Sequence, residues 1–197
     1  MALPQGPRQH LCMEQPPESG ISGQVELRRL RVDDAAVLYA VVDDAREHLA
    51  PWMPWASGQD LAGTAAFLAA SEESWRSGEA YEYAILRDGE LAGSCGLMRR
   101  IGPGGLDIGY WLHPAWTGRG LATTSAAALV RWAFELPGID RVEIHHDAAN
   151  TASAAVPRRL GFTEAGRAPV QGGPTAPAET GIDVTWRLLA GGSGDRG

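Results

Sequence analysis

Between Ile108 and Thr123 the chain reads Ile-Gly-Tyr-Trp-Leu-His-Pro-Ala-Trp-Thr-Gly-Arg-Gly-Leu-Ala-Thr. This is an apolar run, a loop with two glycines one residue apart, and the start of an amphipathic segment. Such a junction suits a phosphate. The first N–H groups of a helix have no partners within it and lie at the positive end of its dipole, and Gly118 and Gly120 let an anion approach the backbone without a Cβ in the way. Arg119 adds a positive charge. Two better-known glycine motifs fit poorly. A P-loop requires Gly-Lys-Ser/Thr, a tripeptide absent from this chain, and a dinucleotide fingerprint requires a third glycine where Thr123 stands. The loop therefore predicts a phosphate-bearing ligand around Thr117, Gly118, Arg119, Gly120, Leu121 and Ala122; a plain strand-to-helix turn is the competing reading.

Other reactive residue types are sparse. Cys95 lies in an apolar run and reads as core, Cys12 stands in a Pro/Gln-rich segment, and together they make neither a disulfide framework nor a metal pattern. Strand alternation puts His146 with Val142 and Ile144, and His145 with Glu143, so one histidine is expected to be buried or half-buried. No third ligand at metal-binding spacing accompanies them, and no metal is expected. Trp52 and Trp55 flank Met53 in a loop punctuated by Pro51 and Pro54. Either alone would most simply be core. Two in one loop suit an aromatic wall for an incoming group, because indole supplies contact area and attracts cations.

The elements that must position these residues follow from periodicity and punctuation. Val25 to Leu30 reads as a strand, Asp33 or Asp34 caps a helix running to Arg46, and Gly58-Gln59-Asp60 precedes a second helix to about Trp75. Tyr81–Arg87 and Leu91–Met98, separated by Asp88-Gly89, form a hairpin, and Leu106–Leu112 makes it a meander. Leu121, Ser125, Ala128, Leu129 and Trp132 fall at helical spacing up to Leu136-Pro137-Gly138. Val142–His146 is a strand, Asn150 caps a short helix ending at Leu160-Gly161, and Phe162–Ala168 and Ile182–Leu189 are the last strands, flanking a Gly/Pro-rich loop. The fold class is α+β, a mixed, mostly antiparallel sheet of six or seven strands with four main helices on both faces. Residues 1–24, rich in proline and without periodicity, are expected to be a mobile leader, 25–190 one domain, and 191–197 a flexible tail.

Composition narrows the function. With 44% hydrophobic and 21% charged residues the chain suits a globular domain. It lacks an apolar stretch near the ~18 residues a membrane span needs and a signal-like segment, so no membrane partner and a cytoplasmic location are expected. A formal charge of −7 argues against a nucleic-acid surface. A cationic amine is a more natural visitor.

Taken together, the segments resemble one family. Thr117-x-x-Gly120-x-Ala122 is similar to the Gln/Arg-x-x-Gly-x-Gly/Ala pyrophosphate loop of GCN5-related N-acetyltransferases. The stretches His48-Leu-Ala-Pro-Trp-Met-Pro-Trp55, Asp107-Ile-Gly-Tyr-Trp-Leu112, Asn150-Thr-Ala-Ser153 and Arg159-Leu-Gly-Phe162 agree with its RimJ/RimL-type branch, which acetylates ribosomal-protein N-termini. Thr117 departs from the usual Gln or Arg. The resemblance implies a splayed parallel strand pair holding acetyl-CoA, with backbone donors from Trp111, Leu112 and His113 and a contact from Asn150, whose other reading is a helix N-cap. It implies direct attack of an amine on the thioester in a ternary complex, with Ser153 as proton donor to sulfur. For the base, Asp107 stands where the family often has Glu, and Glu82, His145 and His146 are rivals; Glu82 is also expected on the acceptor side. Pro157 should kink the helix beside Ser153. The acceptor is expected to be a protein N-terminal or small-molecule amine, with a non-catalytic coenzyme-A-binding module as the alternative and a homodimer as an open assembly.

Overall fold

The computed structural model describes residues 15–191; residues 1–14 and 192–197, which include most of the expected leader and tail, lie outside the described residues. Eight strands form one sheet: β1 (Ser19–Ser22), β2 (Val25–Arg29), β3 (Ala80–Arg87), β4 (Glu90–Met98), β5 (Gly105–Leu112), β6 (Arg141–Asp147), β7 (Thr163–Pro169) and β8 (Ile182–Leu189). Six helices accompany them: α1 (Ala35–Asp44), α2 (Arg46–Leu49), α3 (Pro54–Ser57), α4 (Leu61–Ser77), α5 (Leu121–Glu135) and α6 (Thr151–Arg159). The strand order is β1-β2-β3-β4-β5-β6-β8-β7, and every neighbouring pair is antiparallel except β5–β6.

Local chemistry explains most boundaries. Asp88 and Gly89 both have positive φ (54° and 82°), as the expected two-residue hairpin requires. Asp60 Oδ1 accepts the Gly63 N–H at 2.7 Å to start α4, and Gly78 ends it in the left-handed region. The strand count exceeds the expected six or seven because β1 lies in residues read as leader. Ser19–Ser22 has no apolar alternation to announce it. It is held by pairing with β2, by the Arg29–Glu18 ion pair at 2.7 Å and by close approach to α5. A Cβ on Gly20 would lie 2.6 Å from the Trp132 ring.

Strand alternation divides the sheet into two faces. Tyr83, Ile85, Cys95, Leu97, Ile108, Val142 and Ile144 belong to one core with Leu129 and Trp132 of α5. Leu30 and Ala84 pack on the other face with Leu38, Val42 and Leu68 of α1 and α4. Helices thus cover both faces, as expected. The feature that matters for function is the parallel pair: β5 meets β6 only where Gly105–Asp107 faces Arg141–Glu143, while β6 stays paired with β8 through Asp147. Beyond Asp107 the two strands diverge and a wedge opens. Among the described residues no helix is long and apolar enough to cross a membrane.

Candidate active site

The wedge exposes one edge of β5. His113 N–H bonds Ala92 O at 2.9 Å, so alternation sends the N–H groups of His113 and Trp111 toward β4 and those of Tyr110 and Leu112 into the wedge. Of the three expected donors, only Leu112 keeps that direction. His113 is further removed, because its Nε2 lies 2.7 Å from Asp44 and its Nδ1 accepts the Ala115 N–H. It does not line the main cavity. Trp111 instead turns its ring to the α1/α4 face and packs on Trp55, with ring centroids 6.1 Å apart.

At the open end of the wedge the chain passes through Pro114–Trp116 into the glycine loop and α5. Gly118 and Gly120 have φ of 71° and 80°, and no atom lies within 4 Å of where a Cβ would stand on either. Gly120 is the N-cap of the 15-residue α5 and offers no capping side chain, so the first N–H groups of α5 remain free for an anion. Thr117 Oγ1 is spent on Pro114 O at 2.9 Å, closing the turn. The Arg119 guanidinium stacks over Trp116 at 5.0 Å. The loop's capacity for phosphate rests on backbone groups and space more than on side chains.

Across the wedge stands α6. Asn150 Oδ1 accepts the Ser153 N–H at 3.0 Å, which fulfils the N-cap reading. Pro157 lies inside this helix and has no N–H to give the Ser153 carbonyl four residues back. The Tyr110 hydroxyl takes that place, donating to Ser153 O at 3.0 Å, with Ser153 Oγ 3.2 Å from the same phenol oxygen. Burial pushes the phenol up to about 12 against the opposing effect of this hydrogen bond, so it stays protonated at neutral pH. Tyr110 was missed in the sequence because its partner is distant in the chain; the only local signal was its place on the strand leading to the loop.

One cavity of about 1260 Å³ joins the glycine loop, the wedge and a mouth on the α1/α4 face where Trp52 and Trp55 stand. It brings together Glu82, Ser153, Trp111, Leu112, Asn150 and residues 117–122. Asp107 is not among its lining: its residue is 0% exposed, and its carboxylate is ion-paired with Arg100. Arg100, a charged residue the sequence did not single out, lines the cavity in its place while paired with Asp107. Glu82 makes no side-chain hydrogen bond or ion pair among the described residues, and burial pushes its carboxyl up to about 7 against the pull of Arg100. His145 lies between two carboxylates, Nδ1 2.9 Å from Asp183 and Nε2 3.2 Å from Glu143. Burial alone would lower its pKa, but these partners and Asp107 outweigh it and the net shift is upward. An imidazole donating from both nitrogens is a cation and has no lone pair for a base. His146 Nε2 accepts the Trp186 indole N–H at 2.9 Å and faces the α5 core, so it too is occupied. Cys95 is 2% exposed, and burial together with Glu82 pushes its thiol well above the usual value, which disfavours a thiolate nucleophile. Among the described residues no group of three or more His, Cys, Asp and Glu side chains is placed to hold a metal ion.

A family model described as the acetyltransferase (GNAT) domain matches residues 24–163, well over half of the chain. The chain is a GNAT acetyltransferase. The "Putative ribosomal N-acetyltransferase YdaF" of Bacillus subtilis (strain 168) is 29% identical over 154 residues, covering 75% of this chain and 82% of that protein. Among solved structures, RimJ of Mycobacterium smegmatis in complex with CoA-disulfide is similar at TM-score 0.75 and 25% identity, covering 85% of this chain and 82% of that one. RimL, the ribosomal L7/L12 alpha-N-protein acetyltransferase in complex with coenzyme A, shares the fold at TM-score 0.78 and 24% identity, over 86% and 96% of the two chains. The enzyme is thus an acetyl-CoA-dependent N-acetyltransferase.

Proposed function

We propose that this GNAT enzyme acetylates the α-amine of a protein N-terminus, of the kind found on ribosomal proteins, by direct attack in a ternary complex. The observation that carries the reading is the shape of the cavity: its acceptor end is an open mouth on which Trp55 and Phe67 are each 43% exposed, room for an extended peptide rather than a closed socket for a small amine. The ribosomal name carried by its Bacillus subtilis relative points the same way. Leu121, Ala122, Gly118 and Gly120 hold the pyrophosphate through backbone, Tyr110 and Leu112 present N–H groups to the donor arm, and Ser153 with Tyr110 supplies the proton to sulfur. The sheet from β1 to β8 with its helices acts as one catalytic domain in the cytoplasm, and light scattering tests whether two copies assemble as a homodimer.

The test is to supply acetyl-CoA with unmodified ribosomal proteins, their N-terminal hexapeptides and a panel of small amines, and to locate the added acetyl group by mass spectrometry. The expected product carries one acetyl group on the N-terminal residue and none on lysine. Higher kcat/KM on a small amine than on every peptide and protein overturns the reading.

A further inference from the structure

We infer that Glu82 takes the proton from the acceptor amine, at the end of a lane across the sheet that Gly96 opens for its carboxylate, and that Asp107 acts only as a positioning residue through Arg100. The inference rests on amine acetylation and not on which amine is the acceptor. Three residues on neighbouring strands stand in one row on the α1/α4 face: Glu82 on β3, Gly96 on β4 and Gly109 on β5. The flanking rows carry side chains, Ala80–Met98–Asp107 on one side and Ala84–Ser94–Trp111 on the other. Glu82 leans along its row, since a Cβ on Gly96 would lie 2.5 Å from Glu82 Oε2. Met98 Cε lies 3.0 Å from where a Cβ on Gly109 would stand, so the methionine leans over the far end of the row, and both residues line the cavity there. Strands lie about 4.8 Å apart, so a carboxylate over Gly96 stands one strand, roughly 5 Å, from the β5 backbone that borders the wedge. That gap holds an amine, or an amine with one bridging water.

The charges around the lane favour this role. Arg100 is the cation that acts on Glu82, and its pairing with Asp107 offsets part of that pull. Cys95 is the other titratable group coupled to Glu82. The cavity residues from α4 and the loop before it, Gln59, Thr64 and Phe67, carry no charge, and α2 contributes His48. A carboxyl close to half-protonated at neutral pH is well matched to taking a proton and releasing it again.

In the step, Glu82 receives one proton from the ammonium. The freed nitrogen lone pair forms the C–N bond with the acetyl carbon, and the C–S bond breaks with its electrons staying on sulfur. The second proton lost from nitrogen ends on that sulfur, beside Ser153 and Tyr110. Glu82 then releases its proton to solvent through the mouth, so ammonium and thioester become amide, thiol and one free proton.

The experiment compares wild type with Glu82→Gln, Glu82→Asp, Asp107→Asn and Gly96→Ala, measuring kcat/KM from pH 6 to 9.5 and coenzyme-A affinity by calorimetry. The acceptor is whichever peptide or small amine the wild type turns over, so a failed acceptor assignment shows in the wild type alone. Glu82→Gln should lose on the order of 10²–10⁴-fold at pH 7 and recover toward high pH, where more amine is already neutral, with coenzyme-A affinity kept. Glu82→Asp should restore part of the rate. Asp107→Asn should stay within about tenfold and move the acidic limb of the profile to lower pH, because Arg100 is then unopposed. Gly96→Ala, which keeps the carboxylate but displaces it, should lower kcat. Wild-type activity at pH 7 in Glu82→Gln, an unchanged kcat in Gly96→Ala, or the large pH-rescued loss appearing in Asp107→Asn instead overturns the inference.

Discussion

Pro157 shows how a single residue can exchange helix stability for placement of a reactive group. A proline inside a helix costs about 3 kcal/mol relative to alanine, and here it leaves the Ser153 carbonyl to the Tyr110 phenol. Pro157→Ala restores an N–H that can reclaim that carbonyl. We expect its melting temperature to rise while kcat falls, as Tyr110 loses the acceptor that fixes it beside Ser153 Oγ. Tyr110→Phe should lower kcat by about tenfold or more with little rescue at high pH, since the missing function lies on the sulfur side, and should destabilise by about 1 kcal/mol. Thermal unfolding and steady-state rates on the same preparations check both, and a Pro157→Ala enzyme with full kcat would detach the helix defect from the chemistry. The sequence showed Ser153, Pro157 and Glu82 as residue types in suggestive places. It could not show that Tyr110 reaches Ser153 or that Glu82 faces two glycines, because both facts depend on strand register. Asp107 was placed by resemblance, and burial with Arg100 only becomes visible once β4 and β5 are side by side.

At the scale of elements, the glycine loop was legible because its signal is local: an apolar strand, a turn and an amphipathic helix in one short stretch. The wedge itself was not, since divergence of β5 from β6 is a relation between segments far apart in the chain. β1 was missed for a related reason, lacking a periodic pattern and depending on β2 and Trp132 for its order. The loop assignment has an internal control. Gly120 and Gly138 stand at opposite ends of α5 with φ of 80° and 75° and open space beside each. Valine at either position meets similar left-handed strain, on the order of 1–2 kcal/mol. Only Gly120→Val should weaken coenzyme-A binding, by tenfold or more, while the two variants lose similar thermal stability. Calorimetric titration that finds equal affinities in both would remove the loop from the cofactor site.

Across the whole molecule, a belt of charge ties the last strands together beside the cavity. His145 on β6 bridges Glu143 and Asp183, and Arg187 on β8 bonds Glu143 Oε1 at 2.7 Å. The His145 pKa is raised in the folded state, so its contribution to stability is fully present below the ordinary histidine value near 6.5 and is lost as pH rises through the raised one. The stability difference between wild type and His145→Gln should therefore be largest at pH 6 and shrink as the pH is raised, as urea unfolding at several pH values will reveal. A constant difference would mean that the imidazole contributes by packing alone.

Beyond this belt, Asp147 accepts N–H groups from Thr180 and Gly181 at 2.9 and 2.8 Å, and Ala178 N–H bonds Pro51 O at 2.9 Å. The tryptophan loop near the start of the chain is thus fastened to the segment just ahead of β8. β8 also sits between β6 and β7, which have no direct pairing with each other. The order of events during synthesis follows. The glycine loop and α5 emerge from the ribosome well before Ile182–Leu189, but the cavity lacks its Thr175, Glu179 and Asp183 lining until that later segment arrives and the strand is inserted. A nascent chain thus carries the glycine loop some time before the cavity beside it has its full lining.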